Sequence, residues 1–143
     1  MSPLNPRSRS RSWALQALYA WEQGADDDLS LRRAAHRSLA RRRVSDRYIP
    51  YLDDLIGWID EDQEAIDALL RRHLDNWRLD RLTAIDRNIL RIGVAELIHA
   101  EDVPAAVAIH EAMQLAQKYG SAESARFVNG VLDAVASAVR NPG

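Results

Sequence analysis

The chain begins with a run of alternating arginine and serine residues whose chemistry suits a nucleic acid. Arg7, Arg9 and Arg11 lie in the sequence RSRSRSW, and Gln16 and Tyr19 follow shortly afterwards. Guanidinium groups attract phosphates, and aromatic rings stack on the splayed bases of single-stranded RNA. If these side chains share a surface, they predict RNA binding. The alternative is that the tyrosine is buried in the core and the arginines are solvated, in which case the pattern indicates no function.

Groups that could catalyse a reaction or bind a metal are sparse. Glu96 and His99 form a Glu-x-x-His pair, which helix-bundle di-iron proteins use twice, but it occurs once here. His110 beside Glu111 lacks matching ligands in the same way. The chain has no cysteine, no glycine-rich phosphate loop and no serine in a nucleophile elbow. We therefore expect a protein that is not an enzyme and that uses neither metal nor cofactor.

Length and charge point to one domain with two kinds of surface. The 143 residues are 47% hydrophobic, which is enough for a substantial core. Residues 1–47 carry a net charge of +5 and residues 48–143 a net charge of -7, within a total of -2. A polyanion suits the first surface and a basic protein the second, although solvated charge explains both as well. Without an apolar run of about 18 residues or a secretory signal, we expect a cytoplasmic protein that does not enter a membrane.

Apolar residues recur at helical spacing along the whole chain, which predicts an all-α fold of about seven helices. The first helix has Asn5 as its N-cap, is about 17 residues long and ends near Gly24. On such a helix Arg7 and Arg11 share a face, and Arg9 points elsewhere. The other helices are expected at about 28–44, 49–74 as one helix or two, 83–100, 104–119 and 121–139.

Three local signals refine the later helices. Thr83, three residues before Asp86, resembles a capping box. Gly120 should end the helix before it. Gly130 lies in the middle of the last helix, where glycine costs about 1 kcal/mol relative to alanine. This predicts a close helix crossing at Gly130, with Asn129 satisfying a buried helix end.

Two segments resemble the NusB family of bacterial transcription antitermination factors. WALQALYAWEQ (Trp13 to Gln23) resembles the family's opening helix. Residues 85–136 contain ILR, EL, VP, VAIHEA, KYG and FVNGVLD in the family's order and spacing. The resemblance covers nearly the whole chain. It departs at His110, where the family has asparagine. Residues 26–47 also carry an Arg-rich second helix that is not a recognised feature of the family, and which either widens the RNA footprint or is solvated charge.

The resemblance implies one domain, residues 1–143, of two packed helical subdomains at about 5–75 and 76–140. It implies a factor that binds the boxA element of nascent ribosomal RNA together with ribosomal protein NusE, so that RNA polymerase reads through terminators. The implied NusE-binding residues are Asp80 and Asp86. The implied RNA-binding residues, among which Arg11 is the best aligned of the basic run, are Arg7, Arg9, Arg11, Gln16, Tyr19, Arg91, Tyr119 and Phe127.

Other functions stay open on sequence alone. A similar helical domain stands at the front of ribosomal RNA cytosine methyltransferases, so a stand-alone ribosomal RNA-binding or maturation module is one alternative. A protein-protein adaptor without RNA binding is another. Some members of the family form homodimers that mask the RNA surface, and the sequence does not decide between these states.

Overall fold

The computed structural model describes residues 6–24, 30–75 and 78–140, and none of them lies in a β-strand. The predicted all-α fold is therefore confirmed, with six α-helices rather than seven. They are α1 (Pro6–Glu22), α2 (Leu31–Ala40), α3 (Ile49–His73), α4 (Ala84–His99), α5 (Ala105–Tyr119) and α6 (Ser124–Arg140). Two 3-10 turns, Asp46–Tyr48 and Leu79–Arg81, precede α3 and α4. No helix in these ranges is long and apolar enough to cross a bilayer.

The chain divides into two compact units, residues 1–61 and 62–143. The division falls inside α3, where Asp62 has the non-helical angles φ -113° and ψ 25°. The segment 49–74 is thus one helical element with a kink, which answers the question that the sequence left open.

The first unit is built on α1, α2 and the first half of α3. Apolar residues at helical spacing face its core, and the predicted inward positions Leu31, Ala35 and Leu39 of α2 are buried. Ser30 is the N-cap of α2, and its hydroxyl accepts a hydrogen bond from the Arg33 amide. The helix therefore starts later than predicted. The predicted N-cap of α1, Asn5, lies outside the described residues.

The second unit surrounds α4, which is buried from Asn88 to Leu97. Thr83 caps this helix by accepting a hydrogen bond from the Asp86 amide at 3.1 Å, as predicted. α4 packs against α5 and α6, and α5 packs against α6. The unit is a helical bundle with α4 at its core.

The close helix crossing lies at Gly93 and not at Gly130. A Cβ atom on Gly93 would be 2.5 Å from Cδ1 of Leu132, so only glycine lets α4 approach α6 here. A Cβ atom on Gly130 would meet nothing within 4 Å, and both Gly130 and Asn129 are exposed. The prediction for Gly130 and Asn129 was wrong. Gly130 is two residues before Leu132, about 200° around the helix, and so faces away from the crossing, and Asn129 lies at the exposed edge of the buried face.

Opposite effects of alanine are expected at these two glycines. Gly93→Ala should lower the free energy of unfolding by about 1–3 kcal/mol, because its methyl group overpacks the crossing. Gly130→Ala should raise the same quantity by up to about 1 kcal/mol, because alanine is the better helix former on an exposed face. Urea denaturation of both variants measures this. Equal effects of the two substitutions would contradict the position of the crossing.

Candidate nucleic-acid interface

The orientation of α1 is fixed by two polar residues on its inner face. Ser10 is 1% exposed, and its hydroxyl lies 2.7 Å from the carbonyl oxygen of Tyr48 and 3.1 Å from that of Pro6. Arg11, the next residue, is only 2% exposed. Buried polar groups need partners, so this pair permits one rotation of the helix about its axis.

Two guanidinium groups of α1 lie over the ring of Tyr51 in α3. The Cζ atom of Arg7 lies 4.4 Å from the Tyr51 ring centroid, and that of Arg11 lies 5.5 Å from it. The ring also makes an edge-on contact with Trp58, with centroids 5.9 Å apart. Both cations are within the roughly 6 Å at which the face of an aromatic ring attracts them. Tyr51 is therefore the anchor of the first turns of α1, and the sequence analysis missed it.

The expectation that Arg11 stands on an accessible surface is wrong. Its side chain is buried beside Tyr51, although it is the arginine that aligns best with the family. A guanidinium that is already desolvated within the protein is not presented to a phosphate. Arg11 is a positioning residue. Arg7 is half-buried and lines a cavity of about 390 Å³ with Arg47, Tyr51 and Asp54.

The opposite face of α1 carries the accessible groups. Arg9 is exposed, Gln16 is half-buried, and the side chain of Tyr19 is 42% exposed. Their spacing of seven and then three residues places them along one side of the helix. We call this set the α1 stripe. The stripe thus presents a cation, an amide and an aromatic ring on one side of α1. Because Tyr19 is exposed, the alternative in which it belongs to the core is wrong.

Gln16 also connects the α1 stripe to α2. Its Oε1 atom accepts a hydrogen bond of 2.5 Å from Nη1 of Arg42, which follows the last turn of α2. The amide nitrogen of Gln16 lies 3.5 Å from the carbonyl oxygen of Ser12. The Gln16 side chain is thereby oriented from two sides, and a fourth polar group, Arg42, adjoins the stripe.

Arg91 is the second predicted RNA ligand that the structure buries. It is 6% exposed, and its Nε and Nη2 atoms donate to the two carboxylate oxygens of Asp67 at 2.9 and 3.0 Å. Its Nη1 atom donates to Asn88 Oδ1 at 3.0 Å. A bidentate pair of this kind is a strong, oriented interaction, and its partners satisfy the guanidinium within the bundle. The expectation of an accessible Arg91 is wrong for that reason.

A cavity of about 500 Å³ in the second unit brings two predicted site residues together. Asp86 and Phe127 line it with Ser121, Glu123 and Arg126, and with residues Leu82 and Ser124. Oδ1 of Asp86 is buried and has no hydrogen-bond partner among the described residues. An unsatisfied carboxylate oxygen is costly, so a cationic or hydrogen-bond-donating ligand would be stabilised there.

The remaining predicted residues have separate surroundings. Tyr119, at the end of α5, is half-buried, and Nζ of Lys118 lies 5.2 Å from its ring centroid. Asp80 is exposed and forms an ion pair of 3.1 Å with Arg78. Gly120 ends α5 as predicted, but the reason is space: a Cβ atom there would lie 2.5 Å from Oγ of Ser124.

Histidine and carboxylate groups do not assemble into a metal site in the described part of the chain. His99 pairs with Asp62 at 2.5 Å, and Glu96, its partner in the Glu-x-x-His pattern, is buried. No group of three or more potential ligands occurs within the described ranges.

Alanine substitution should separate the two roles of arginine on α1. Arg11→Ala should lower the free energy of unfolding by about 2 kcal/mol or more, because a desolvated cation–π contact and its packing are lost. Arg9→Ala, on the exposed side of the same helix, should change it by less than about 0.5 kcal/mol. Thermal denaturation of both variants measures the difference. A stable Arg11→Ala protein would show that Arg11 does not position the helix.

Comparison with known proteins places this architecture in a family. The family model described as "NusB family" matches residues 8–137. The transcription antitermination protein NusB of Myxococcus xanthus is 37% identical over 140 residues, which are 97% of this chain and 100% of that protein. A structure of NusB from T. maritima has a TM-score of 0.80 and 34% identity, with 93% of this chain and 92% of that chain covered. A crystal structure of the antitermination factors NusB and NusE in complex with double-stranded RNA has a TM-score of 0.81 and 28% identity, with 93% and 97% covered. The chain belongs to the NusB family.

Proposed function

We propose that the chain is a transcription antitermination factor that binds the boxA element of nascent ribosomal RNA together with ribosomal protein NusE. The observation that carries this proposal is the α1 stripe, which presents Arg9, Gln16 and Tyr19 from a helix of fixed rotation. The proposal is also supported by membership of the family and by the similarity to a NusB that was solved with NusE and RNA.

The RNA is captured first by charge and then by stacking. Arg9 attracts the phosphates, and Tyr19 stacks on a base. Arg7, whose guanidinium lies over the Tyr51 ring on the other face of α1, is expected to contribute less. Gln16 offers an amide for a base edge, oriented by Arg42. Arg11 and Arg91 act within the protein and contact no nucleotide. Tyr119 and Phe127 stay candidates for further stacking, since both are half-buried.

NusE is bound by the acidic part of the second unit. Asp86 offers a buried carboxylate oxygen without a partner, and Glu123 lines the same cavity. A lysine or arginine of a basic ribosomal protein would give that oxygen a charge-assisted hydrogen bond. Asp80 already pairs with Arg78 on the surface and is expected to add little.

RNA affinity should depend on salt and on the α1 stripe. For three to five neutralised phosphates on a single strand, the log-log slope of affinity against salt should lie between about -2 and -3.5. Tyr19→Ala should weaken binding of a boxA-like oligonucleotide by about 5- to 150-fold, the worth of one base–aromatic stack. Fluorescence anisotropy measures both.

Val107→Ala is the matched control, because Val107 in α5 is also 42% exposed. It should leave the affinity unchanged. A salt slope near zero, or equal losses in the two variants, would contradict the proposal. A duplex of the same sequence should bind more weakly, because its bases are not free to stack on Tyr19.

Asp86→Asn should weaken NusE binding by at least about tenfold, because it removes the charge from a hydrogen bond that is worth about 1.5–3 kcal/mol. RNA binding in the absence of NusE should not change. Asp133→Asn, an exposed acid on α6, serves as the control. Isothermal titration with NusE, with and without RNA, measures the effect. NusE binding that never strengthens RNA binding would favour the RNA-independent adaptor instead.

A further inference from the structure

Two groups of basic residues, one in α2 and one directly after it, differ in their partners. On one side, Arg32 lies 3.3 Å from a carboxylate oxygen of Glu61 and 4.0 Å from one of Asp60, and His36 lies 3.1 Å from Asp53. These contacts tie the helix to the acids of α3. The charge of Arg32 is already offset within the first unit, so it is not available for a polyanion.

The second group is the basic triplet Arg41, Arg42 and Arg43, which follows the last turn of α2. All three residues are exposed. Arg42 donates to Gln16 of the α1 stripe at 2.5 Å. Within the described ranges, no acidic side chain lies within ion-pair distance of Arg41 or Arg43. Arg43 lines a cavity with Asp53, but that carboxylate pairs with His36. Among the described residues, the triplet therefore adds positive charge without an ion-pair partner directly beside the stripe.

The backbone at Arg43 is in an unfavourable conformation. Its φ angle is 51°, and it is the one non-glycine residue with positive φ in the described part of the chain. Glycine or asparagine usually occupies this left-handed position after a helix, because a longer side chain is disfavoured there. An arginine at such a position, next to two others, costs stability that a glycine would restore. Residues of this kind concentrate at functional sites.

We propose that the basic triplet is a second phosphate-binding site, which takes the RNA strand where it continues beyond the α1 stripe. The inference rests on the proposed function, because it is the bond between Gln16 and Arg42 that makes the triplet part of the RNA surface. Guanidinium groups suit this task, since their planar fork binds phosphate oxygens in pairs. The ligand is the sugar–phosphate backbone, so the contact extends the footprint without reading sequence.

The double variant Arg41→Gln with Arg43→Gly tests the site. Glycine relieves the positive φ at residue 43, so the variant should melt at no lower temperature than the original protein. Arg71→Gln with Arg72→Gln is the matched control, because it removes two exposed charges near the end of α3. The ligands are a core oligonucleotide that covers only the boxA-like element and the same oligonucleotide extended at either end.

Loss of two single-strand phosphate contacts should make the salt slope about 1.4 less steep, which corresponds to about 15-fold weaker binding at 0.15 M salt. This loss should appear with one of the extended oligonucleotides and not with the core. The control variant should bind all of them as the original protein does.

Unchanged binding of the extended oligonucleotides by the test variant would overturn the inference, and so would an equal loss in the control. In both cases the original protein still binds the core, and the proposed function stands. If the original protein binds no RNA, the proposed function fails, and this inference fails with it.

Discussion

The rotation of α1 about its own axis is the constraint on which the candidate interface depends. Ser10 and Arg11 are buried, and each needs a partner that only one rotation supplies: a carbonyl of the turn before α3 and the ring of Tyr51. A turn of the helix in either direction would separate the Ser10 hydroxyl from the Tyr48 carbonyl, leaving it only the Pro6 carbonyl of its own helix, and would take the Arg11 guanidinium away from the Tyr51 ring. The exposed residues Arg9 and Tyr19 and the half-buried Gln16 occupy the side that this rotation leaves open.

Arginine performs two opposite tasks in this protein, and burial decides between them. Arg11 and Arg91 are enclosed and position helices, the first against Tyr51 and the second against Asp67. Arg140 does the same at the end of α4, where it donates to the carbonyl oxygens of Leu97, Glu96 and Ala100. Helix ends offer carbonyls that lack amide donors further along the helix, and Arg140 adds donors there, although the carbonyls of Glu96 and Ala100 also accept the amides of Ala100 and Val103. Outside, the arginines of α1 and of the basic triplet form the positive surface. Some of the many arginines thus stabilise the fold, and others form the surface proposed to bind RNA.

Helix types and approximate bounds could be predicted from the sequence, because apolar spacing and capping residues are local signals. The length of α1 and the caps Thr83 and Gly120 were predicted correctly. The burial of Arg11 could not be predicted, because it depends on Tyr51, forty residues later. Asp67 gave a signal that was overlooked: it shares the buried face of α3 with Leu70 and Leu74, where a charge needs a partner. At Gly130 the sequence pattern was over-interpreted, since a glycine alone does not reveal which face of a helix is covered by another helix.

Side-chain NMR of the arginine Nε–H groups and tyrosine rings during an RNA titration tests the central claim most directly. The account predicts that the signals of Arg9 and Tyr19 shift strongly as RNA is added, while those of Arg11 and Tyr51 stay nearly unchanged, because they face the core. Strong shifts at Arg11 and Tyr51 with none at Arg9 and Tyr19 would contradict the fixed rotation of α1 and the interface built on it.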